Sequence, residues 1–275
     1  MGEGIRMNQR GKPPARIIIA LAVIALLGVF TVIGAVTVLQ LPDPVTEEAK
    51  RTDTLYQPVL AVSLVVFFGV TSGIIWAMAR YKRQSEDEEL PVQVHGSSAL
   101  EATWTIIPII ILVALFIPSL ILVLDLKDPP TGDDIDVEVQ AVGHQWWWEF
   151  HYPNDGITIQ ATPPNYDNLE PPTLVLPVGA EVVIHLSSTD VVHSFSAPNT
   201  LYKLQAIPGN INTMHMKFEE TGVFTGQCYQ FCGVRHSDML FIIDVREQAD
   251  YDTWLSETQA AQGVDPAKLA SASED

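Results

Sequence analysis

Cys228, Cys232, His236 and Met239 fall in one short run, Cys-Tyr-Gln-Phe-Cys-Gly-Val-Arg-His-Ser-Asp-Met, with Gln230 between the cysteines and His193 upstream. Thiolate, imidazole and thioether together form the ligand set that copper selects, and the chain's two cysteines are both here. Methionine is a poor zinc ligand. Three other readings of the same residues stay open. An extracytoplasmic disulfide would account for Cys228 and Cys232, but leaves the spacing of His236 and Met239 without a reason. A structural Cys2His2 zinc site would lack its usual Cys-x-x-Cys pair. A mononuclear blue-copper site uses one Cys, two His and a distant Met, which leaves the second cysteine without a role.

The elements around these residues read as strands. Residues 136–142, 181–187 and 239–245 alternate apolar and polar positions, and Pro163-Pro164, Pro171-Pro172, Pro177, Gly179 and Pro208-Gly209 break the chain between such runs. A small antiparallel sandwich or barrel is expected. Residues 250–259 carry Tyr251, Trp254 and Leu255 at helical spacing and predict a short helix packed on the sheet. Cys228 to His236 then occupy a loop, Met239 begins the final strand, and His193 arrives from a separate loop.

Upstream, the residues 17–39, 58–79 and 105–124 are apolar and free of charge, each long enough to cross a bilayer core of about 30 Å. The first follows a basic leader, residues 1–16, but is too long for the apolar region of a signal peptide. All three are expected to span a membrane. Arg6, Arg10, Lys12 and Arg16 flank the first, and Arg80, Lys82 and Arg83 follow the second, against Lys50 and Arg51 in the loop between. That bias places the N-terminus in the cytoplasm and the domain at 125–260 outside, followed by a flexible tail at 261–275. Residues 125–275 hold 23 Asp and Glu against six Lys and Arg, nearly all of the net charge of −18. Nucleic acid is excluded as a sensible partner, and a basic protein that docks transiently fits instead.

Several motifs carry a family resemblance. The cysteine loop, Val142-Gly-His-Gln-Trp-Trp-Trp-Glu-Phe150, Asp190-Val-Val-His193-Ser, Ala206-Ile-Pro-Gly and Leu100-Glu-Ala-Thr-Trp-Thr-Ile-Ile-Pro108 resemble subunit II of haem–copper respiratory oxidases over about residues 55–257. That family has two membrane helices, so the run at 17–39 is an extra one. The resemblance implies a membrane-anchored α plus all-β chain, its helices followed by a cupredoxin-like β-sandwich, in a bacterial inner membrane. It implies a binuclear copper centre in which Cys228 and Cys232 bridge both ions, His193 and Met239 complete one, and His236 with the backbone carbonyl of Gln230 completes the other. The commoner family residue at 230 is Glu, whose carboxylate helps hold magnesium at the boundary with subunit I. The neutral amide of Gln230 weakens the case for magnesium but leaves the carbonyl ligand untouched.

By the same resemblance, Trp146 is where electrons arrive from cytochrome c, and Glu101 lies near the mouth of a proton path in subunit I. On an extended strand Trp146 and Trp148 would share a face, so a core role for one of the three tryptophans is also open. Glu101 equally suits a helix start. The implied activity is acceptance of electrons from cytochrome c and their transfer to haem in subunit I of a proton-pumping oxidase, with further oxidase subunits as partners. A donor subunit of a copper-containing nitric oxide reductase, or a membrane-anchored copper-delivery protein, is the alternative. His95, His144, His151, His185 and His215 have no metal-like companions nearby in sequence and read as structural or surface residues.

Overall fold

The computed structural model describes residues 40–81, 96–160 and 170–265, together with Gly28, Gly34 and Leu269. The leader and almost all of the run at 17–39 lie outside the described residues. The other two apolar runs are helices, α1 at Glu47–Arg80 and α2 at Ser98–Leu126. Both begin well before their apolar stretches. For α1 the reason is local: the Thr46 hydroxyl accepts a hydrogen bond from the Ala49 N–H at 3.0 Å, and capping lets the polar residues ahead of the apolar run join the helix. Glu101 plays the matching part in α2, accepting from the Ser97 N–H at 3.3 Å. Phe67, Leu112 and Phe116 are among many large apolar side chains left exposed along these helices, as lipid contact requires.

After α2 the described residues form ten strands in two five-stranded sheets. One sheet has the order β3 (Ile157–Gln160), β2 (Trp147–Tyr152), β1 (Val137–His144), β5 (Glu181–Ser188), β8 (Asn212–Lys217). The other has β4 (Thr173–Pro177), β10 (Leu240–Arg246), β9 (Gly222–Cys228), β6 (His193–Ser196), β7 (Leu204–Ala206). This is a cupredoxin-like sandwich behind two apolar helices. It is not wholly antiparallel, because β1 runs parallel to β5 and β4 parallel to β10. The chain crosses between sheets from β3 to β4 and back to β5, so strands that become neighbours can enter their sheet in the same direction.

Alternation along β2 turns Trp148, Phe150 and Tyr152 into the core, where all three are fully buried. Trp148 meets Phe195 and Phe241 edge-on, and those two rings stack at 4.3 Å. A side chain at Gly226 would strike the Phe241 ring, so only glycine fits there. The Tyr152 hydroxyl donates to the Val175 carbonyl and accepts its N–H, joining the two sheets. Helix α3 (Gln248–Gln262) packs Tyr251 and Trp254 beside Tyr152, and Val264 beyond it also touches the core, so described structure continues past residue 260. The start of α1 and the end of α2 are tied to the same unit. Arg51 pairs with Asp125, and the Tyr202 hydroxyl donates to the Leu126 carbonyl at 3.0 Å.

Candidate metal centre

Neighbouring strands of one sheet bring the two halves of the site together. Phe195 of β6 pairs with Cys228 at the end of β9, which sets His193 beside that cysteine. The ten residues between Cys228 and Met239 are closed at their base, where the Cys228 N–H donates to the Met239 carbonyl at 3.0 Å. Within them a single 3-10 turn, His236–Asp238, returns His236 toward the cysteines. Cys228 is a strand residue and not part of the loop, and Met239 precedes β10, which starts at Leu240. His193, expected on a separate loop, instead opens β6.

The six residues converge. The sulfurs of Cys228 and Cys232 are 3.9 Å apart, far beyond the roughly 2.05 Å of a disulfide, and both thiols are free. His193 Nδ1 lies 3.9 Å from Cys228 Sγ, and His236 Nδ1 lies 3.6 Å from Cys232 Sγ. The Gln230 carbonyl oxygen is 3.2 Å from Cys228 Sγ, and Met239 Sδ is 3.9 Å from Cys232 Sγ. His193, Cys228, Cys232 and Met239 are buried, whereas the Gln230 side chain is exposed, so only its carbonyl turns inward. One nitrogen flanks each sulfur. Two thiols, a thioether, two imidazoles and a carbonyl fit a metal ion and are more than one tetrahedral ion could use.

Asp190 organises the buried histidine, which the sequence does not reveal by type alone. Its carboxylate lies 2.8 Å from His193 Nε2 and accepts the Val191 and Gln145 N–H groups. With its proton on Nε2, the ring turns a lone pair on Nδ1 toward the sulfurs. Burial acts to raise the Asp190 carboxyl, but the His193 ring and the two backbone donors outweigh it and hold it below the ordinary range. Burial also acts to raise the Cys228 thiol, and the adjacent His193 ring with backbone hydrogen bonds brings it down to about 7. Burial and the neighbouring Cys228 push Cys232 up to about 12.

Two glycines make room for this arrangement. A Cβ at Gly143 would lie 2.8 Å from the His193 ring. Gly233 has φ +127, and a Cβ there would meet the Trp146 indole at 3.0 Å. Trp146 lies outside β2, in the turn before it, so it does not share the face of Trp148. Its Nε1–H donates to the Cys232 carbonyl at 3.2 Å, beside the Gln145 amide, which donates to the same oxygen. Trp148 is the core tryptophan, and Trp147 stacks on His144 at 4.0 Å. Glu101 belongs to the other compact unit of the chain, where its carboxylate serves the start of α2.

His95 lies outside the described residues, and the other four histidines are not as isolated as their sequence positions suggest. His144 and His151 both approach Glu149, and His185 approaches Glu138. His215 lies within 4.8 Å of carboxylate oxygens of Glu48 and Glu181, a possible metal-ligand group. Strand pairing and the folding-back of residues 45–49 create that group from three distant segments.

Comparison with known proteins agrees with this architecture. Residues 137–246 match the family described as cytochrome c oxidase subunit II, periplasmic domain, and residues 34–122 match its transmembrane domain. Cytochrome c oxidase subunit 2 of Alkalihalophilus pseudofirmus is 38% identical over 212 residues, covering 76% of this chain and 57% of that protein. A probable subunit 2 of Streptomyces avermitilis is 33% identical over 273 residues, covering 86% of this chain and 84% of the relative. The crystallised periplasmic domain of subunit II from Bradyrhizobium japonicum is 28% identical with a TM-score of 0.43, covering 49% of this chain and 99% of that structure. With both of its domains matched in order, the chain belongs to the cytochrome c oxidase subunit II family.

Proposed function

We propose that the chain is the electron-accepting subunit of a proton-pumping terminal oxidase, with a binuclear copper centre at Cys228, Cys232, His193, His236, Met239 and the Gln230 carbonyl. The observation that carries this reading is the division of donors: two sulfurs lie between two imidazole nitrogens, with one thioether and one carbonyl to complete two metal positions. Copper bound there supplies a one-electron carrier whose charge is shared between two ions. The protein's part is to hold the ligands still. The clamp between Cys228 and Met239, the Asp190 bond to His193 and the core packing of Trp148 against His193 keep ligand positions similar in both redox states. A small rearrangement lowers the barrier to each transfer.

Electrons arrive at Trp146 in this proposal. Its ring lies partly buried against the loop, hydrogen-bonded to the backbone of a ligand residue, which gives a short covalent and hydrogen-bonded path into the site. Trp146 and Trp147 line a shallow depression with Glu170 and Asp238, and Phe231 and Val234 stand exposed on the loop. Apolar contact ringed by negative charge suits a basic, haem-bearing donor such as cytochrome c. The electron passes on to haem in subunit I, where oxygen is reduced to water. The membrane helices anchor the chain in a bacterial inner membrane with the N-terminus cytoplasmic and the copper domain outside, beside subunit I and further oxidase subunits. Glu101 would serve a proton path in subunit I. A magnesium site at the same boundary would lack a carboxylate at position 230.

Rapid mixing of reduced cytochrome c with the copper-loaded full chain tests the reading. Haem oxidation should be matched electron for electron by bleaching of the copper absorbance, and should slow as salt rises. A copper-loaded chain that stays oxidised would contradict it.

A further inference from the structure

A second group of metal-ligating side chains lies away from the cysteines. Glu48 is in the first turn of α1, Glu181 opens β5, and His215 is in β8. Across the antiparallel β5–β8 pair, Glu181 opposes Lys217 and Val183 opposes His215, so Glu181 and His215 are diagonal neighbours on one face of the sheet. That face is the outer one, since Met214 and Met216 on the alternate positions fill the core. The segment leading into α1 lies over it. The Glu219 N–H donates to the Val45 carbonyl, Thr46 bridges to Phe218, and the Lys217 N–H donates to Glu48 Oε2 at 3.1 Å. Glu48 is left 5% exposed and His215 7% exposed.

Carboxylate oxygens of the two glutamates and a ring nitrogen of His215 all lie within 4.8 Å of one another. Nδ1 of that ring is buried without a hydrogen-bond partner, an arrangement proteins avoid because the lost hydration is not replaced. The lysine beside Glu48 on α1 does not neutralise the pair, as Lys50 is committed to Glu219 at 2.6 Å. Burial, with the like charge of Glu181, raises the Glu48 carboxyl above its ordinary range in spite of its backbone hydrogen bonds and the nearby His215. The His215 ring thus keeps one buried nitrogen without a hydrogen bond beside two crowded carboxylates.

We propose that Glu48, Glu181 and His215 bind a divalent cation of the zinc class, with water completing the coordination on the partly exposed side of Glu181. Imidazole nitrogen and carboxylate oxygen are both zinc ligands, and the nitrogen disfavours magnesium and calcium, which take oxygen ligands. Tetrahedral zinc holds its ligand atoms roughly 3.4 Å apart, so these side chains need to close by about an ångström, within reach of rotamer adjustment. The ion would staple the start of α1 to β5 and β8.

The test is zinc titration of the full chain in detergent, with copper bound and its absorbance followed, by equilibrium dialysis and thermal melting. One zinc per chain should bind saturably without loss of copper and raise the melting temperature. Glu181→Gln and His215→Gln should each weaken zinc at least tenfold and abolish the thermal shift. Glu181 is partly exposed at a strand start, so its amide variant preserves the fold even where the buried His215 variant does not. The inference stands apart from the copper centre, and the same titration on the Cys228→Ser/Cys232→Ser chain keeps the two separable. Absence of saturable zinc, equal affinity in the Glu181 variant, or zinc retained only as copper leaves would each overturn the site.

Discussion

The indole N–H of Trp146 is hydrogen-bonded to the backbone carbonyl of Cys232 at 3.2 Å, so a partly exposed aromatic ring is joined directly to a residue of the metal site. The contact depends on Gly233, whose left-handed backbone and missing side chain let the ring lie against the loop. Trp146→Ala should therefore slow electron transfer from cytochrome c by about tenfold or more, a barrier increase of roughly 1.4 kcal/mol, while copper content stays at two per chain. Stopped-flow haem oxidation measures it. An unchanged rate would remove Trp146 from the path.

Asp190 fixes His193 through Nε2, and the loss of such a partner typically costs 10–100-fold in metal affinity. Asp190→Asn should weaken copper by about that factor in a chelator competition and leave the fold intact, since the amide oxygen can still accept one of the two backbone donors. Copper affinity equal to wild type would mean that core packing alone orients the ring.

Gly143→Ala places a methyl group 2.8 Å from His193 Cδ2, closer than atoms in contact tolerate. His193 is fully buried and cannot swing to solvent. The variant should fold, because Gly143 lies near the end of β1, yet bind copper weakly and with an altered absorption spectrum. A wild-type spectrum would show that β1 can yield by a few tenths of an ångström.

Gln230 turns its carbonyl inward and its amide outward, so Gln230→Ala should retain both copper ions, whereas His236→Ala, which deletes a side-chain nitrogen, should not. Metal analysis of the two variants side by side gives the answer. Copper loss from Gln230→Ala would assign the amide a role in the site.

The candidate site was legible in the sequence because Cys228, Cys232, His236 and Met239 lie within twelve positions and are copper-ligand types, while Gln230 entered only through the family resemblance. The charge-free runs at 58–79 and 105–124 announced α1 and α2, and alternation announced the main strands. Asp190 was not, although it stands three residues before His193, because only the entrance of β6 turns its carboxylate onto that ring. A core role for one tryptophan was legible and falls to Trp148, but Trp146 sits in the turn before β2 and so does not share its face. The parallel pairs β1–β5 and β4–β10 depend on crossovers between sheets that no local pattern records. His215 looked solitary, since Glu48 and Glu181 are brought to it only by strand pairing and by the segment that folds over the sheet.

In the proposed function, Cys228 and Cys232 would together hold two copper ions. Electron paramagnetic resonance of the copper-loaded full chain, with copper measured per chain, should show two copper ions and a seven-line hyperfine pattern, one unpaired electron spread over two equivalent nuclei, lost when Cys228 or Cys232 is replaced by Ser. One copper per chain with a four-line pattern would contradict it.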